Sequence, residues 1–286
     1  MTNTLLSVAE VAARLAATTE EYIPATATAG IAPSELRHAV ELFRSVVFNG
    51  YFDERPLAES LVALATLVAR QSAHARRAFL GESTETARTE GERTAAALLD
   101  ALPALRHALS TDVKAVFDGD PAARSYEEII LCYPALVAMT HYRFAHALLT
   151  AGVPVLPRML TERAHSLTGI DIHPAAVIGD YFSIDHGTGV VVGETCIIGS
   201  HVRLYQGVTL GAKSFKFDAD GNILRRPRHP ILEDNVVVYS NASILGRIRI
   251  GHDSVVGGNV WQTESLPPYS VVVQGRTQRG EAEISE

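Results

Sequence analysis

The sequence predicts an α+β protein in which an α-helical domain, residues 1–168, precedes a parallel β-helix over residues 169–275. Three observations lead there. Stepping by six from Ile172 lands on Ile178, Ile184, Val190, Cys196, Val202 and Val208. A helix would place apolar residues at spacings of three and four and a flat strand at two, so a six-residue recurrence marks a solenoid whose triangular coils take one inward anchor per side. Before residue 168 the chain is rich in Ala, Leu, Glu and Arg with few β-branched clusters, a helix-forming composition. Between the two, Ala151-Gly-Val-Pro-Val-Leu-Pro157 interrupts the helical pattern, and Gly169 introduces the repeat after one last short helix.

In chain order, helices are expected over 8–22, 33–48, 58–79, 85–105, 126–151 and 156–166. Ser34 and Ser125 each stand ahead of acidic first-turn residues, as a capping hydroxyl and the helix dipole favour. Gly81-Glu-Ser-Thr and Asp118-Gly-Asp-Pro read as turns, the second ending a helix before Pro121. Beyond Leu210 the six-residue phase is lost through a polar, turn-rich and basic stretch, an excursion from the coil over 211–230. It resumes at Leu232, Val238, Ile244, Ile250 and Val256, with Gly251 and Gly257 directly after anchors where the chain must bend. Leu266-Pro-Pro-Tyr ends the coil, residues 270–274 offer one edge strand, and 276–286 read as a mobile tail.

Composition removes several function classes. With 47% hydrophobic and 20% charged residues and a net charge of -7, the chain suits a globular fold and lacks the basic footprint of a nucleic-acid binder. No basic segment precedes an apolar core at the N-terminus and no apolar run reaches the length of a membrane span, so no membrane partner and a cytoplasmic location are expected. Cys132 and Cys196 are the only cysteines. They lie far apart, which argues against a disulfide framework or a structural zinc site, and Cys196 falls on an anchor position.

A solenoid needs apolar anchors and small corner residues, so charged groups gathered at corners are informative. Asp185-His186-Gly187-Thr188-Gly189 sets an acid and an imidazole beside two glycines that let a ligand approach the backbone. A solvated surface corner explains it equally well. Arg228-His229-Pro230 stands where the excursion re-enters the coil, as a binding element or a plain basic loop end. Asp171 either serves chemistry or caps the first coil, and Asp120 is either a site residue or a turn former.

Taken together, and in order, these segments resemble the serine O-acetyltransferases, a family of hexapeptide-repeat acyltransferases. The resemblance rests on Asp171-Ile-His-Pro-Ala-Ala-Val-Ile-Gly, Asp185-His-Gly-Thr-Gly-Val-Val-Val-Gly-Glu-Thr, Gln206-Gly-Val-Thr-Leu-Gly and Arg228-His-Pro, preceded by Asp120-Pro-Ala and by Tyr142-Arg-Phe-Ala-His146. It covers roughly residues 118–268. It implies a left-handed β-helix that forms a homotrimer, helical domains able to pair two trimers, and acetyl transfer from acetyl-CoA to the L-serine hydroxyl for cysteine biosynthesis. By the same resemblance His186 is the general base and Asp171 the acid that orients it. Arg228 and His229 would meet the serine carboxylate, Asp120 and Asp185 its ammonium, and Gly211, Ala212 and Ser240 the pantetheine arm. Histidine suits the chemistry, because a hydroxyl nucleophile needs a base that titrates near the working pH. Arginine likewise matches a carboxylate with its planar fork. Lys213, Lys216, Arg225 and Arg226 either contact CoA phosphates or form a solvated basic loop.

Departures from the family pattern limit what is carried over. The 211–227 segment is longer than the short glycine-rich loop of many relatives, and Tyr239-Ser-Asn replaces a Gly-Ala-Gly stretch; both bear on acceptor and acyl choice. The alternative function is therefore O-acetylation of another small hydroxylated amino acid or acceptor. The chain ends Glu283-Ile-Ser-Glu286, unlike relatives whose final isoleucine enters O-acetylserine sulfhydrylase, so that complex is not expected. A zinc carbonic anhydrase on the same coil would draw on His173, His186, His201, His229 and His252. No pair has the close spacing such a site needs, and no metal is expected.

Overall fold

The computed structural model describes residues 7–17, 30–214 and 216–274. Seven helices among them come first: α1 (Val8–Ala17), α2 (Pro33–Val47), α3 (Leu57–Leu80), α4 (Thr84–Gly119), α5 (Tyr126–Cys132), α6 (Pro134–Thr150) and α7 (Leu156–Thr168). Residues 18–22 of the first expected helix and the expected 276–286 tail lie outside the described residues. Ser125 caps α5 by accepting from the Glu128 N–H at 3.2 Å. Ser34, in contrast, lies inside the first turn of α2, whose N-cap is Ala32 with no side-chain bond.

Two helices depart from the pattern expected of them. The helix expected over 85–105 continues to Gly119, because Leu102, Leu109, Val113 and Val116 carry its buried stripe onward at helical spacing. It absorbs Pro103 within its length. The helix expected over 126–151 is two helices. Proline disfavours helical dihedrals in the residue before it, and Tyr133, ahead of Pro134, adopts φ -78 and ψ 124.

The β-helix follows coil by coil. The first coil holds β1 (Asp171–Ile172), β2 (Val177–Ile178) and β3 (Ser183–Asp185); the second β4 (Val191–Val192), β5 (Ile197–Ile198) and β6 (Arg203–Tyr205). The third holds β7 (Thr209–Gly211), β8 (Ile231–Leu232) and β9 (Val237–Val238), and the fourth β10 (Ser243–Leu245), β11 (Arg249–Ile250) and β12 (Val255–Val256). A final turn contributes β13 (Trp261–Gln262) and β14 (Val271–Val272). Stacking gives three parallel faces, β1-β4-β7-β10-β13, β2-β5-β8-β11 and β3-β6-β9-β12-β14.

Register shows where the repeat is irregular. Val191 pairs with Thr209, eighteen residues on, whereas Asp171 pairs with Val191, twenty residues on. The two extra residues fall between Ile184 and Val192, in the Asp185–Gly189 corner. A count by six from Ile172 therefore leaves the strand anchors at that corner. The residues stacked on Ile172, Ile178 and Ile184 are Val192, Ile198 and Leu204, while Val190, Cys196, Val202 and Val208 stand two residues earlier. Both sets are almost fully buried, which is why the six-residue count reads as unbroken. The excursion leaves after β7 and returns at β8, with Phe217 and Ile223 bridged antiparallel across its turn.

The helical part closes the open edge of the first coil. Tyr142 donates to the Ala176 carbonyl at 2.6 Å, His146 Nδ1 to the Pro174 carbonyl at 2.8 Å and Arg143 Nη2 to the Gly179 carbonyl at 3.0 Å. Asp112 accepts from the Phe182 N–H at 3.2 Å and the Thr111 hydroxyl from the Tyr181 N–H at 3.1 Å. Arg143 and Asp112 are joined by two bonds of 2.7 and 2.8 Å, with side chains 8% and 1% exposed. Removing one partner of such a pair leaves a buried charge uncompensated. Arg143→Ala is expected to destabilise the fold by about 3–5 kcal/mol, read from urea midpoints; a loss below about 1 kcal/mol would show that the pair does not hold the junction.

Candidate active site

A cleft of about 490 Å³ opens where the end of α4 and the start of α6 meet β3 and β6, and Asp120, Asp185 and His186 line it. Asp120 follows α4 directly, in the extended conformation (φ -118, ψ 103) that the residue before Pro121 favours. Its Oδ2 accepts from the Tyr133 hydroxyl at 2.7 Å and its Oδ1 from the Ala122 N–H at 2.8 Å. These two donors, Tyr133 first, hold the Asp120 carboxyl below its usual value, and the same bond pushes the Tyr133 phenol up to about 12.

His186 occupies the corner created by the two inserted residues. Its φ of 57 is left-handed, a conformation most side chains avoid. Gly187 follows with φ 89, and a Cβ there would run into buried Ile170. The corner thus throws the imidazole outward, where its side chain is 74% exposed and Nε2 lies 3.8 Å from Asp185 Oδ1. A histidine held this way is a poor packing residue and an accessible base.

The cleft also contains residues the sequence reading missed. Tyr133 and Arg203 line it, and Arg203 Nη1 donates to the Gly119 carbonyl at 3.4 Å. A side chain at Gly119 would collide with that guanidinium. Pro134 was the available signal for Tyr133; for Arg203 there was none, since an outward residue of β6 looks like any other surface arginine.

The remaining candidates lie elsewhere on the coil. Arg228 and His229 sit where the excursion returns, against Glu194 and Thr195 of the second coil. Arg228 Nη2 bonds Glu194 Oε2 at 2.6 Å, and its buried Nε has no partner among the described residues. The Thr195 hydroxyl accepts from the N–H groups of Arg228 and His229 at 2.9 and 3.1 Å. His229 Nδ1 accepts from the Thr195 N–H at 3.1 Å, so in the neutral ring the proton resides on Nε2. Any Cβ at Gly193 would overlap that ring.

Asp171 stands on β1, outward of the buried anchor Ile172. Among the described residues no hydrogen bond or ion pair joins it to His186. Gly211 ends β7 and Ala212 follows it toward a basic groove of about 320 Å³ lined by Lys213, Lys216, Arg226, Arg228 and Arg247. Arg225 does not line that groove. Ser240 lies in the corner after β9, its carbonyl accepting from the Asn259 N–H at 2.9 Å.

Within one chain the candidates thus fall on two edges of the coil. Asp185, His186 and Ser240 lie along the edge that precedes the β1-β4-β7-β10-β13 face, with Asp120 facing them from the helical part. Ala212, Arg228 and His229 lie along the edge that follows it.

Burial, and then the neighbouring Arg228, push His229 down to about 4. A histidine with a depressed folded value contributes stability that is complete above its unfolded value of about 6.5 and is lost as pH falls toward 4, because the unfolded chain then binds the extra proton. Urea midpoints should fall between pH 7 and pH 4.5, and His229→Gln should reduce that slope; an unaltered slope would contradict a neutral buried His229.

Comparison with known proteins fits this geometry. No family model matches the chain. A plasmid-encoded serine acetyltransferase of Synechococcus elongatus is 53% identical over 181 residues, 63% of this chain and 57% of that protein; the chain thus spans just over half of that relative. The serine acetyltransferase of Bacillus subtilis is 42% identical over 165 residues, 58% of this chain and 72% of that protein. The crystal structure of serine acetyltransferase isoform 3 from Entamoeba histolytica, in complex with cysteine, superposes with a TM-score of 0.73 at 35% identity, covering 85% of this chain and 83% of that one. The helical part followed by a left-handed β-helix is the architecture these proteins share. The chain belongs to the serine acetyltransferase family.

Proposed function

We propose that this chain transfers the acetyl group of acetyl-CoA to the hydroxyl of L-serine, giving O-acetyl-L-serine and CoA thiol. The observation that carries this is the cleft in which two carboxylates, Asp120 and Asp185, stand beside the exposed imidazole of His186. An amino-acid ammonium suits such an acidic pair, and its hydroxyl then falls near a base.

In this mechanism His186 takes the hydroxyl proton as the oxygen attacks the thioester carbonyl. The C–S bond breaks, and the departing thiolate takes the proton from the imidazolium. On the family resemblance alone, Asp171 is the acid that orients and stabilises the charged ring, as in the acid-base half of a triad, while the carboxylate that stands 3.8 Å from the ring within the chain is Asp185. Arg228, with His229, receives the carboxylate through charge-assisted bonds. Its unpartnered Nε supports the role, since a buried donor without an acceptor is costly. Glu194 holds the same guanidinium and orients it. Gly211, Ala212 and Ser240 offer backbone to the pantetheine arm, and the basic groove suits the CoA phosphates.

The two-edge distribution favours a homotrimer, with the His186 edge of one copy meeting the Arg228 edge of the next. Paired trimers through the helical part follow the family pattern. A different hydroxylated acceptor is the second reading. The Tyr205 and Tyr239 rings are stacked 4.9 Å apart, Tyr205 paired with Asp185 on β6 and Tyr239 directly after β9, and they favour it because Tyr239 stands where many relatives carry a small residue.

CoA-thiol release across L-serine, D-serine, homoserine and threonine tests the choice; serine should give the highest kcat/KM, and any other preference transfers the assignment to that acceptor. His186→Ala should lower kcat by about 10²- to 10⁴-fold with oligomeric state intact. Activity within about threefold of the parent would remove His186 as the base. Arg228→Lys should chiefly raise the serine KM, because an ammonium supplies charge without the fork. A raised acetyl-CoA KM with serine unaffected would place Arg228 on a CoA phosphate instead.

A further inference from the structure

We infer that Tyr133 is a positioning residue of the ammonium subsite, acting through Asp120 by way of its phenolic hydroxyl. The inference rests on the assignment of Asp120 to the substrate ammonium made above.

The argument begins with the break in the helix. The Tyr133 N–H closes α5 on the Ile129 carbonyl at 3.2 Å, while the Tyr133 carbonyl opens α6 by accepting from Leu136 and Val137 at 3.1 and 3.3 Å. The residue is therefore fixed on both sides, and its extended dihedrals carry the ring out of the helical stripe into the cleft. An unbroken helix over the same residues would have no such junction there.

The hydroxyl then meets Asp120 Oδ2 at 2.7 Å, opposite the Ala122 N–H on Oδ1 at 2.8 Å. Each carboxylate oxygen has two acceptor directions. One on each oxygen is thus occupied, and one on each remains to converge on an ammonium group. Without Tyr133 the carboxylate is held at a single oxygen and is free to rotate. The backbone beside it is held independently by Arg203 on the Gly119 carbonyl, so the side-chain orientation is what Tyr133 contributes. A phenol whose proton is tied to a carboxylate stays protonated throughout the assay range, which makes the bond a constant of the site rather than a switch.

A packing role for the ring is the competing explanation, and Tyr133→Phe separates the two because it keeps the ring. The experiment is a double-mutant cycle on the full chain with Tyr133→Phe, Asp120→Asn and the combination, read as serine KM, acetyl-CoA KM and kcat. Tyr133→Phe should raise the serine KM about tenfold, the lower end for losing a hydrogen bond to a charged group, with acetyl-CoA KM unchanged. In the Asp120→Asn background the same change should alter serine KM by less than about twofold. A second readout uses 3-hydroxypropionate, which carries the hydroxyl and carboxylate of serine but no ammonium; its inhibition constant should be the same in Tyr133→Phe as in the parent.

An equal loss in both backgrounds, or an equal weakening of 3-hydroxypropionate, would make Tyr133 a structural residue and overturn the inference alone. If Asp120→Asn leaves serine KM unchanged, the inference fails together with the ammonium assignment beneath it.

Discussion

The ion pair between Asp112 and Arg143 is the contact on which the arrangement depends. A solenoid coil at the end of its stack presents unpaired backbone groups, an exposed edge that other proteins must cover or blunt. Here α4 and α6 cover it with side chains. Asp112 and Arg143 neutralise each other at 1% and 8% exposure while each also satisfies backbone of the first coil, at Phe182 and Gly179. Tyr142 and His146 extend the seal to Ala176 and Pro174. Burying these charges is costly in isolation, and the additional backbone bonds are what offset that cost. The geometric result is that the C-terminal end of α4, and with it Asp120, stands at a fixed place beside β3.

That fixed place matters because the first coil is irregular at the same corner. Two residues more than the repeat requires are inserted after Ile184, and the chain accommodates them with His186 and Gly187 in left-handed conformation. Single left-handed residues recur at other corners of the coil, as at Tyr181, His201 and Asn241, whereas here two in succession adopt that conformation, and the buried columns on either side continue undisturbed. Insertion in a solenoid alters a corner without altering the stack, since each strand is held by the coils above and below.

The two polar edges differ in electrostatic character. The His186 edge gathers Asp120 and Asp185 around an accessible imidazole, whereas the Arg228 edge holds arginine against Glu194 and keeps His229 buried and neutral. One edge suits a cation and a proton transfer, the other an anion. The zwitterionic acceptor proposed above would need both, and the proposed meeting of neighbouring copies would bring the two edges together.

Much of this was legible in the sequence, and the limits are instructive. The solenoid was, because a side chain facing the axis every sixth residue leaves a local record; the clusters holding His186, Asp185 and Arg228 stood out as candidates, because charged clusters have no place in an ordinary coil. The inserted corner was not, since Val190 and Val192 are both buried and a count by six passes from one column to the other unnoticed. Helix α4 runs past residue 105 because Leu109, Val113 and Val116 continue its apolar stripe at helical spacing, although Pro103 within it reads locally as a helix end. Tyr133 and Arg203 became visible as cleft residues only in three dimensions, because their importance lies in contacts thirteen and eighty-four residues away along the chain. Sequence determined the repeat and which charged residues stand out from it as candidates, through patterns that local spacing preserves. Tertiary structure decided which of them face one another, because hydrogen bonds and charges act through distance in space and leave no period in the chain.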